Sequence, residues 1–560
     1  MFASTMMDFP LTLRHVLERA GRLFGASEIV SRLPDKSLHR YTYRDFHRRA
    51  LALGGALQRL GLNKGDRVAT LMWNHYAHLE AYLAVPCAGA TLHTLNLRLH
   101  PDDIAFIANH AGDRYLIVDD VLLPLYEKFR GNTAFERVIV VPVSGRAVAA
   151  SEEHISMDSA LSAPRTSGMT TFAGMENYEQ LIADAAPLAP VALDENDAAA
   201  MCYTSGTTGR PKGVVYSHRS IVLHTLATAT VDYLGVSNRD SVCPVVPMFH
   251  VNAWGLPYTA LLMGAKLAMP GPHLDAVSLL DLYQSEKVTV TAGVPTIWFG
   301  MQQALEREPR RWRLTSGLRM VVGGAAAPES LIRGLDRFDV RVIHGWGMTE
   351  TSPVGLLNYT KREMGGIDEE ASFALRAKQG VPLPYFEVRA IANEREAPWD
   401  GETMGELEVR GPWVAARYHD LPDAPQQWSA DGWFRTGDIV TIDAAGYVKI
   451  TDRIKDLVKS GGEWISSIDL ENALVSHPAV QEAAVIAIPH PKWGERPLAV
   501  VVVKPGRSVT REALSAHIAP RLAKFACPDD YVFVPEIPRT STGKMMKAKL
   551  REAYKDWRWT

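Results

Sequence analysis

Cysteine is scarce in this chain. Its four residues, Cys87, Cys202, Cys243 and Cys527, lie far apart and form no Cys-x-x-Cys pair, which leaves neither a zinc ribbon nor a disulfide framework to build on. A reducing, cytoplasmic setting is the plain expectation. A surplus of either charge is missing too. Sixty Lys+Arg stand against 63 Asp+Glu, a formal net charge of −3, so the basic excess that accompanies binding to nucleic acid or anionic membrane is not there. Long apolar runs are absent. The densest, Leu498–Val503, ends at Lys504-Pro505-Gly506; it falls far short of the ~18 residues a bilayer span needs and reads as a buried strand. The first twenty residues carry no charged segment ahead of an apolar stretch, so no secretory signal is expected. No Gly-x-Ser-x-Gly elbow occurs, which disfavours a Ser-His-Asp hydrolase.

What remains is the composition of a globular enzyme: 560 residues, 47% hydrophobic, 22% charged, mean hydropathy −0.08. At ~150 residues per domain, three or four domain-sized units are expected. From about Phe9 to Asp120 helical periods alternate with short apolar runs. Asp45–Leu60 and His78–Ala88 read as helices, and the turn at Gly65-Asp66 leads into a strand. Residues 143–175 turn Ala/Ser/Gly-rich and read as a surface insertion. Alternation resumes at Asp197 and persists to about Ile391, which favours α/β layers. Short alternating strands over 392–454 suggest a β-rich subdomain. Lys455–Thr560 reads helix, strand, strand, helix, strand; it holds 16 Lys+Arg against 12 Asp+Glu, net +4, leaving −7 on the rest. The expected fold is α/β: a large N-terminal body over 1–454 and a small α+β domain over 455–560.

The strongest local signal is Tyr203-Thr204-Ser205-Gly206-Thr207-Thr208-Gly209-Arg210-Pro211-Lys212-Gly213, which follows the apolar stretch Ala198–Cys202. Three glycines permit backbone conformations in which successive N–H groups converge on an anion. The hydroxyls of Thr204, Ser205, Thr207 and Thr208 add donors, and Lys212 adds a point charge. In chemical terms this is a polyphosphate cradle. It is not a Walker A loop, because no Gly stands five residues before a Gly-Lys-Ser/Thr triplet.

The segment resembles the phosphate loop of the adenylate-forming superfamily of acyl-CoA synthetases, peptide-synthetase adenylation domains and luciferases. Six further segments resemble that family in the same order: Pro247-Met248-Phe249-His250, Gly323-Gly324-Ala325-Ala326, Gly345-Trp346-Gly347-Met348-Thr349-Glu350-Thr351, Thr436-Gly437-Asp438, Asp452-Arg453-Ile454-Lys455-Asp456 and Pro538–Lys544. The resemblance implies ATP, Mg²⁺ and CoA as cofactors. It implies Thr204–Gly209, Lys212, Gly324–Ala326 and Gly345–Thr349 around the nucleotide, with Glu350 and Thr204 on the metal. It implies Asp438 and Arg453 at the ribose, Lys544 at the α-phosphate, and Lys455 as a hinge on which the small domain swings. Lys459, Gly461, Gly462 and Trp464 would then line a thiol channel. A carboxylic acid is expected to become acyl-AMP, releasing pyrophosphate, and then to pass to CoA.

The acyl pocket is expected, by the same resemblance, from the stretches His250–Gly255, Thr296–Phe299, Gly323–Ala326 and Trp346–Thr351, with His250, Val251, Trp254, Thr296, Gly323, Gly324, Trp346 and Thr349 at the substrate. No acidic residue lies between Met248 and Tyr258 to hold a substrate ammonium. Trp254, Trp298 and Trp346 offer large apolar faces, which suggests an uncharged, compact tail. Pro247–Tyr258 looks equally like medium-chain fatty acyl-CoA ligases and methylthiopropionate-CoA ligases; an aryl acid is a further alternative. A luciferase-type oxygenase or a non-catalytic binding protein are the rival classes, and intact Lys212, Glu350, Asp438 and Lys544 speak against the second. The partners are small molecules, with no nucleic acid and no integral membrane segment; the resemblance leaves room for a homodimer.

Overall fold

The computed structural model of the chain describes residues 4–144, 148–149, 170–171, 174–204, 210–421, 425–461, 463–539 and 545–559. The stretch expected to be an insertion, 143–175, lies largely outside them.

Two large sheets dominate. The first runs Gly213–Ser217, Ala198–Tyr203, Thr91–Thr94, Arg67–Leu71, Tyr115–Asp119, Arg137–Val141, Glu176–Asn177, parallel except for the antiparallel edge formed by Gly213–Ser217. Tyr115–Asp119 is buried at every position, as a strand covered on both faces must be. The helix Tyr76–Cys87 is buried at every residue and so has no polar face to betray its period. Tyr43–Arg59, by contrast, is amphipathic and opens with a reciprocal capping box between Thr42 and Asp45, two residues before the sequence-predicted start.

The second sheet has nine strands. Its centre, Val340–Gly347, Leu318–Val322, Val290–Gly293, Ser241–Pro244, Lys266–Met269 and Glu28–Arg32, is parallel. Open parallel sheets bind ligands outside the carboxyl ends of their strands, and the ends at Gly293, Val322 and Gly345 do open into one cavity.

A five-stranded antiparallel sheet follows, in which Phe434–Ile442 and Val448–Arg453 place Asp438 directly opposite Arg453. The last sheet, built on the long antiparallel pair Val480–His490 and Gly494–Val503, encloses its own apolar core. The C-terminal reading missed two pieces: an opening hairpin, Val458–Ser460 with Glu463–Ile465, and a closing helix, Lys547–Ala553. Three-residue strands are too short to show a period of two. This sheet's first helix, Ser467–Val475, is tied to the strand before the expected hinge. Asp452 Oδ2 accepts from Ser467 N and Ser467 Oγ, both at 2.6 Å, and Ser466 Oγ donates to the Thr451 carbonyl at 2.6 Å. Among the described residues no helix is long and apolar enough to cross a membrane.

Candidate active site

The strand ends enclose a cavity of about 690 Å³ with two chemically unlike ends. At the polar end, Thr204 and Lys212 close the neck of the phosphate loop. Thr204 N donates to the Lys212 carbonyl at 2.9 Å, and Lys212 N donates to Thr204 Oγ1 at 3.0 Å. The Lys212 ammonium stands 4.7 Å from the centre of the Tyr418 ring. That tyrosine in turn donates its O–H to Glu350 Oε1 at 2.6 Å. Glu350 is only 5% exposed. Burial pushes its carboxyl above the usual carboxylate range, and the Tyr418 hydrogen bond and the Arg453 and Lys212 charges pull against that shift. A carboxylate so nearly stripped of water is costly to ionise. It lines the same cavity as Thr204, and the two are hard oxygen donors of the kind that fits Mg²⁺ shared with substrate phosphates.

Behind this end, Trp346 Nε1–H donates to Asp438 Oδ2 at 2.8 Å, and Arg453 Nε lies 3.0 Å from Asp438 Oδ1. Both carboxylate oxygens are therefore engaged, yet each keeps a further lone pair for a hydroxyl. Trp346 and Arg453 face the cavity, whereas Asp438 stands one layer back and does not line it.

The other end is apolar: Val245, Val246, Leu274, Ile297, Val321 and Val322 form its wall with Trp254. Trp254 closes a run of four non-glycine residues, Val251–Trp254, with φ between +45° and +55°. A β-branched residue at positive φ is strained and persists only where its surroundings impose it. The turn ends at Gly255, where an added Cβ would fall 2.8 Å from His224 Cε1. Gly323 lets the Trp254 ring lie on the strand end, since a Cβ there would sit 3.0 Å from Trp254 Cη2.

Of the expected residues, Thr204, Lys212, His250, Val251, Trp254, Gly323, Gly324, Gly345–Glu350, Arg453 and Lys455 share this one cavity. Ala325, Ala326, Thr296, Lys459, Gly461 and Trp464 do not line it. Lys459 and Trp464 pair instead on the C-terminal hairpin, the ammonium 4.7 Å from the ring. Ser205, Gly206, Thr207, Thr208, Gly209, Gly462 and Lys544 lie outside the described residues. Trp298, expected to offer its face to the pocket, is fully buried in the core with Nε1–H donating to the Val321 carbonyl. Ile297, its neighbour on the helix Pro295–Arg307, lines the cavity instead: successive helical residues point ~100° apart. The sequence reading missed Tyr418, Arg98 and Glu406, all on the cavity wall. None sits in a local pattern that would single it out.

The N-terminal 18–419 match the AMP-binding enzyme family, and 469–544 match the AMP-binding enzyme C-terminal domain. The chain belongs to the AMP-binding, adenylate-forming enzymes. This AMP-binding enzyme is 50% identical to a long-chain-fatty-acid–CoA ligase of Thermus thermophilus, over 99% of the chain and 98% of the relative. It is 41% identical to a medium-chain-fatty-acid–CoA ligase of Ectopseudomonas oleovorans (98% and 97% covered). It is 42% identical to a 3-methylmercaptopropionyl-CoA ligase of Ruegeria pomeroyi (98% of each). Its fold matches the crystal structure of an anthranilate CoA ligase in complex with anthranoyl-AMP with a TM-score of 0.83, at 25% identity and 98% coverage of both chains. The AMP-binding enzyme is thus an ATP-dependent acid–CoA ligase that works through acyl-AMP, with ATP, Mg²⁺ and CoA as its cofactors.

Proposed function

We propose that this ligase activates an uncharged, medium-chain aliphatic acid, and that the two ends of its cavity divide the work. The observation that carries this reading is the lining itself. Among the described residues its only carboxylates, Glu350 and Glu406, belong to the polar end, and Trp254 stands among the apolar lining. An apolar wall that carries no carboxylate offers a substrate ammonium no partner and selects an aliphatic tail by area and length.

In the first half-reaction a carboxylate oxygen attacks the α-phosphorus of ATP; the bond to the β-phosphate breaks and pyrophosphate leaves. Mg²⁺, when bound, neutralises charge on the phosphates. Thr204, Lys212 and the loop between them hold the β- and γ-phosphates, with Glu350 and Thr204 as the metal's protein ligands. Asp438 and Arg453 orient the ribose, and His250 faces the carboxylate. Lys544 is assigned to the α-phosphate, where fixed positive charge counts most as negative charge develops. In the second half-reaction the CoA sulfur, having lost its proton, attacks the acyl carbon and AMP departs. Rotation about Lys455 would remove Lys544 and present Lys459, Gly461, Gly462 and Trp464 to the thiol. The cytoplasm, which supplies ATP and CoA together, suits this chemistry.

A second reading, long-chain acids, draws on the 50% identical relative from Thermus thermophilus. A panel of acetate, hexanoate, octanoate, palmitate, 3-(methylthio)propionate and benzoate, scored by AMP release with and without CoA, decides. Hexanoate or octanoate should be used best, with full turnover only when CoA is present. A preference for palmitate, methylthiopropionate or benzoate would overturn the assignment.

A further inference from the structure

One helix touches both ends of the phosphate loop. Pro101–Ala111 starts with proline at its first position and stops at Gly112, φ +67°. Its buried face, Ile104, Ile107 and Ala108, packs into the core of the first sheet. Beside that face Phe106 and His110, four residues and one turn apart, reach the loop. His110 Nδ1 lies 2.7 Å from the Tyr203 hydroxyl, where the loop begins. Arg210, at the loop's far side, sets its guanidinium 4.9 Å from the centre of the Phe106 ring.

The stem is otherwise tightly built. Tyr203 pairs with Gly213 across the strands, and a Cβ at Gly213 would stand 3.0 Å from Tyr203 Cζ, so only glycine lets the ring lie there. The His93 ring lies tilted against the Tyr203 ring, with centroids 5.1 Å apart. His419 N donates to the Gly213 carbonyl at 2.8 Å, with its ring edge-on to His110 at 5.6 Å. Thr204 and Lys212 follow directly on these anchored residues, and their mutual hydrogen bonds fix the neck.

We propose that His110 and Phe106 are positioning residues for the phosphate loop: they hold its two ends in register from outside and thereby set the affinity for ATP, without touching the nucleotide. The inference rests on the reading that 204–212 holds the triphosphate. Binding groups work at full strength only when a supporting layer locks them, and an ångström of slack at the support is felt at the ligand. A half-buried tyrosine hydroxyl needs some partner in any fold. Here the partner is shared with the helix that also seats Arg210, so slack in one helix loosens both ends together.

The test compares His110→Ala, Phe106→Ala and Tyr203→Phe in the full-length enzyme, each checked by its melting curve. KM for ATP, KM for the acid, and thioester formation from supplied acyl-adenylate plus CoA are measured. ATP KM should rise about fivefold or more in His110→Ala and somewhat less in the other two, as the loss of one supporting contact predicts. Acid KM and thioester formation, which need no ordered triphosphate site, should stay within about twofold. His110→Asn, which keeps a hydrogen-bonding atom near Nδ1, should recover most of the ATP affinity. Should His110→Ala fail to fold, Tyr203→Phe removes the same hydrogen bond by deleting one oxygen. An ATP KM near wild type in a folded variant, or equal losses in all three measurements, would overturn the proposal. Lys212→Ala separates the two levels: if it leaves ATP KM unchanged, the loop assignment itself is wrong. If Lys212→Ala raises ATP KM while His110→Ala and Tyr203→Phe do not, only the positioning role falls.

Discussion

The two ends of the cavity are made in different ways. The polar end is a set of individuals, each held by its own contact: Thr204 with Lys212, Glu350 with Tyr418 and Arg453 with Asp438. The apolar end is a surface contributed by strand termini and by the helix Pro295–Arg307, where Val, Ile and Leu are nearly interchangeable. Charge-directed chemistry demands particular atoms in particular places, whereas an apolar wall demands only shape and area. On the proposed reading one end fixes the reaction and the other the substrate, so that altering either should have little effect on the other's task.

The largest effect should come from Lys544→Ala. With Lys544 at the α-phosphate as proposed, removing its charge is expected to slow acyl-adenylate formation by at least ~10²-fold. Thioester formation from supplied acyl-AMP should be largely kept. Measuring both half-reactions checks this, and an equal loss in both would remove the division between the adenylating lysine and the thiol step.

At the apolar end, Trp254→Ala should move preference toward longer acids. Each newly accommodated contact group is worth ~1–3 kcal/mol in discrimination. Steady-state kcat/KM from acetate to palmitate measures the shift, and an unchanged rank order would place the ring outside the selecting wall.

How much of this was legible follows the same division. Thr204, Lys212 and Glu350 sit in segments whose glycines, hydroxyls and charges announce an anion site locally, so the family was readable from them, and all three line the cavity. Tyr418 was not, because its partner Glu350 lies 68 positions away and no pattern surrounds it. The alternation of strand and helix foretold the α/β layers, and the antiparallel strands around 405–453 stood out by their turns. The all-buried helix Tyr76–Cys87 still showed through as an apolar run, but the hairpin Val458–Ser460 with Glu463–Ile465 was too short to leave a period. At the acyl wall the expected stretch Thr296–Phe299 contains Ile297, which does line the cavity, but the emphasis on Trp298 was off by helical phase: one residue along a helix turns a side chain from cavity to core.

Tyr418→Phe should produce a smaller effect, seen in the pH profile. Burial holds the Glu350 carboxyl above its ordinary value of 4.5, while the Tyr418 hydrogen bond favours the ionised form. The carboxylate must be ionised to serve a metal, so kcat/KM for ATP should fall as pH drops through this raised pKa. Deleting the hydroxyl removes a group that lowers the pKa, so the acid limb should move to higher pH. An acid limb that stays in place would separate Tyr418 from Glu350's titration.

The smallest effect belongs to Trp346→Phe. Its ring lines the cavity, while its Nε1–H reaches Asp438. Losing one hydrogen bond to a carboxylate should raise ATP KM only severalfold, about 1.5 kcal/mol or less, with acid preference nearly unchanged. A large change in acid preference instead would show that Trp346 belongs to the selecting end.

The central claim, that reaction and selection are separable, meets its most direct test in one comparison. Acid-dependent ATP–pyrophosphate exchange, with CoA omitted, is measured across the same acids for wild type, Glu350→Gln and Trp254→Ala. Glu350→Gln should lower the rate for every acid by a common factor and preserve their order. Trp254→Ala should reorder the acids while ATP KM stays near wild type. If Glu350→Gln reorders the acids, or Trp254→Ala lowers all of them equally and raises ATP KM, the two ends are not independent and the division drawn here is wrong.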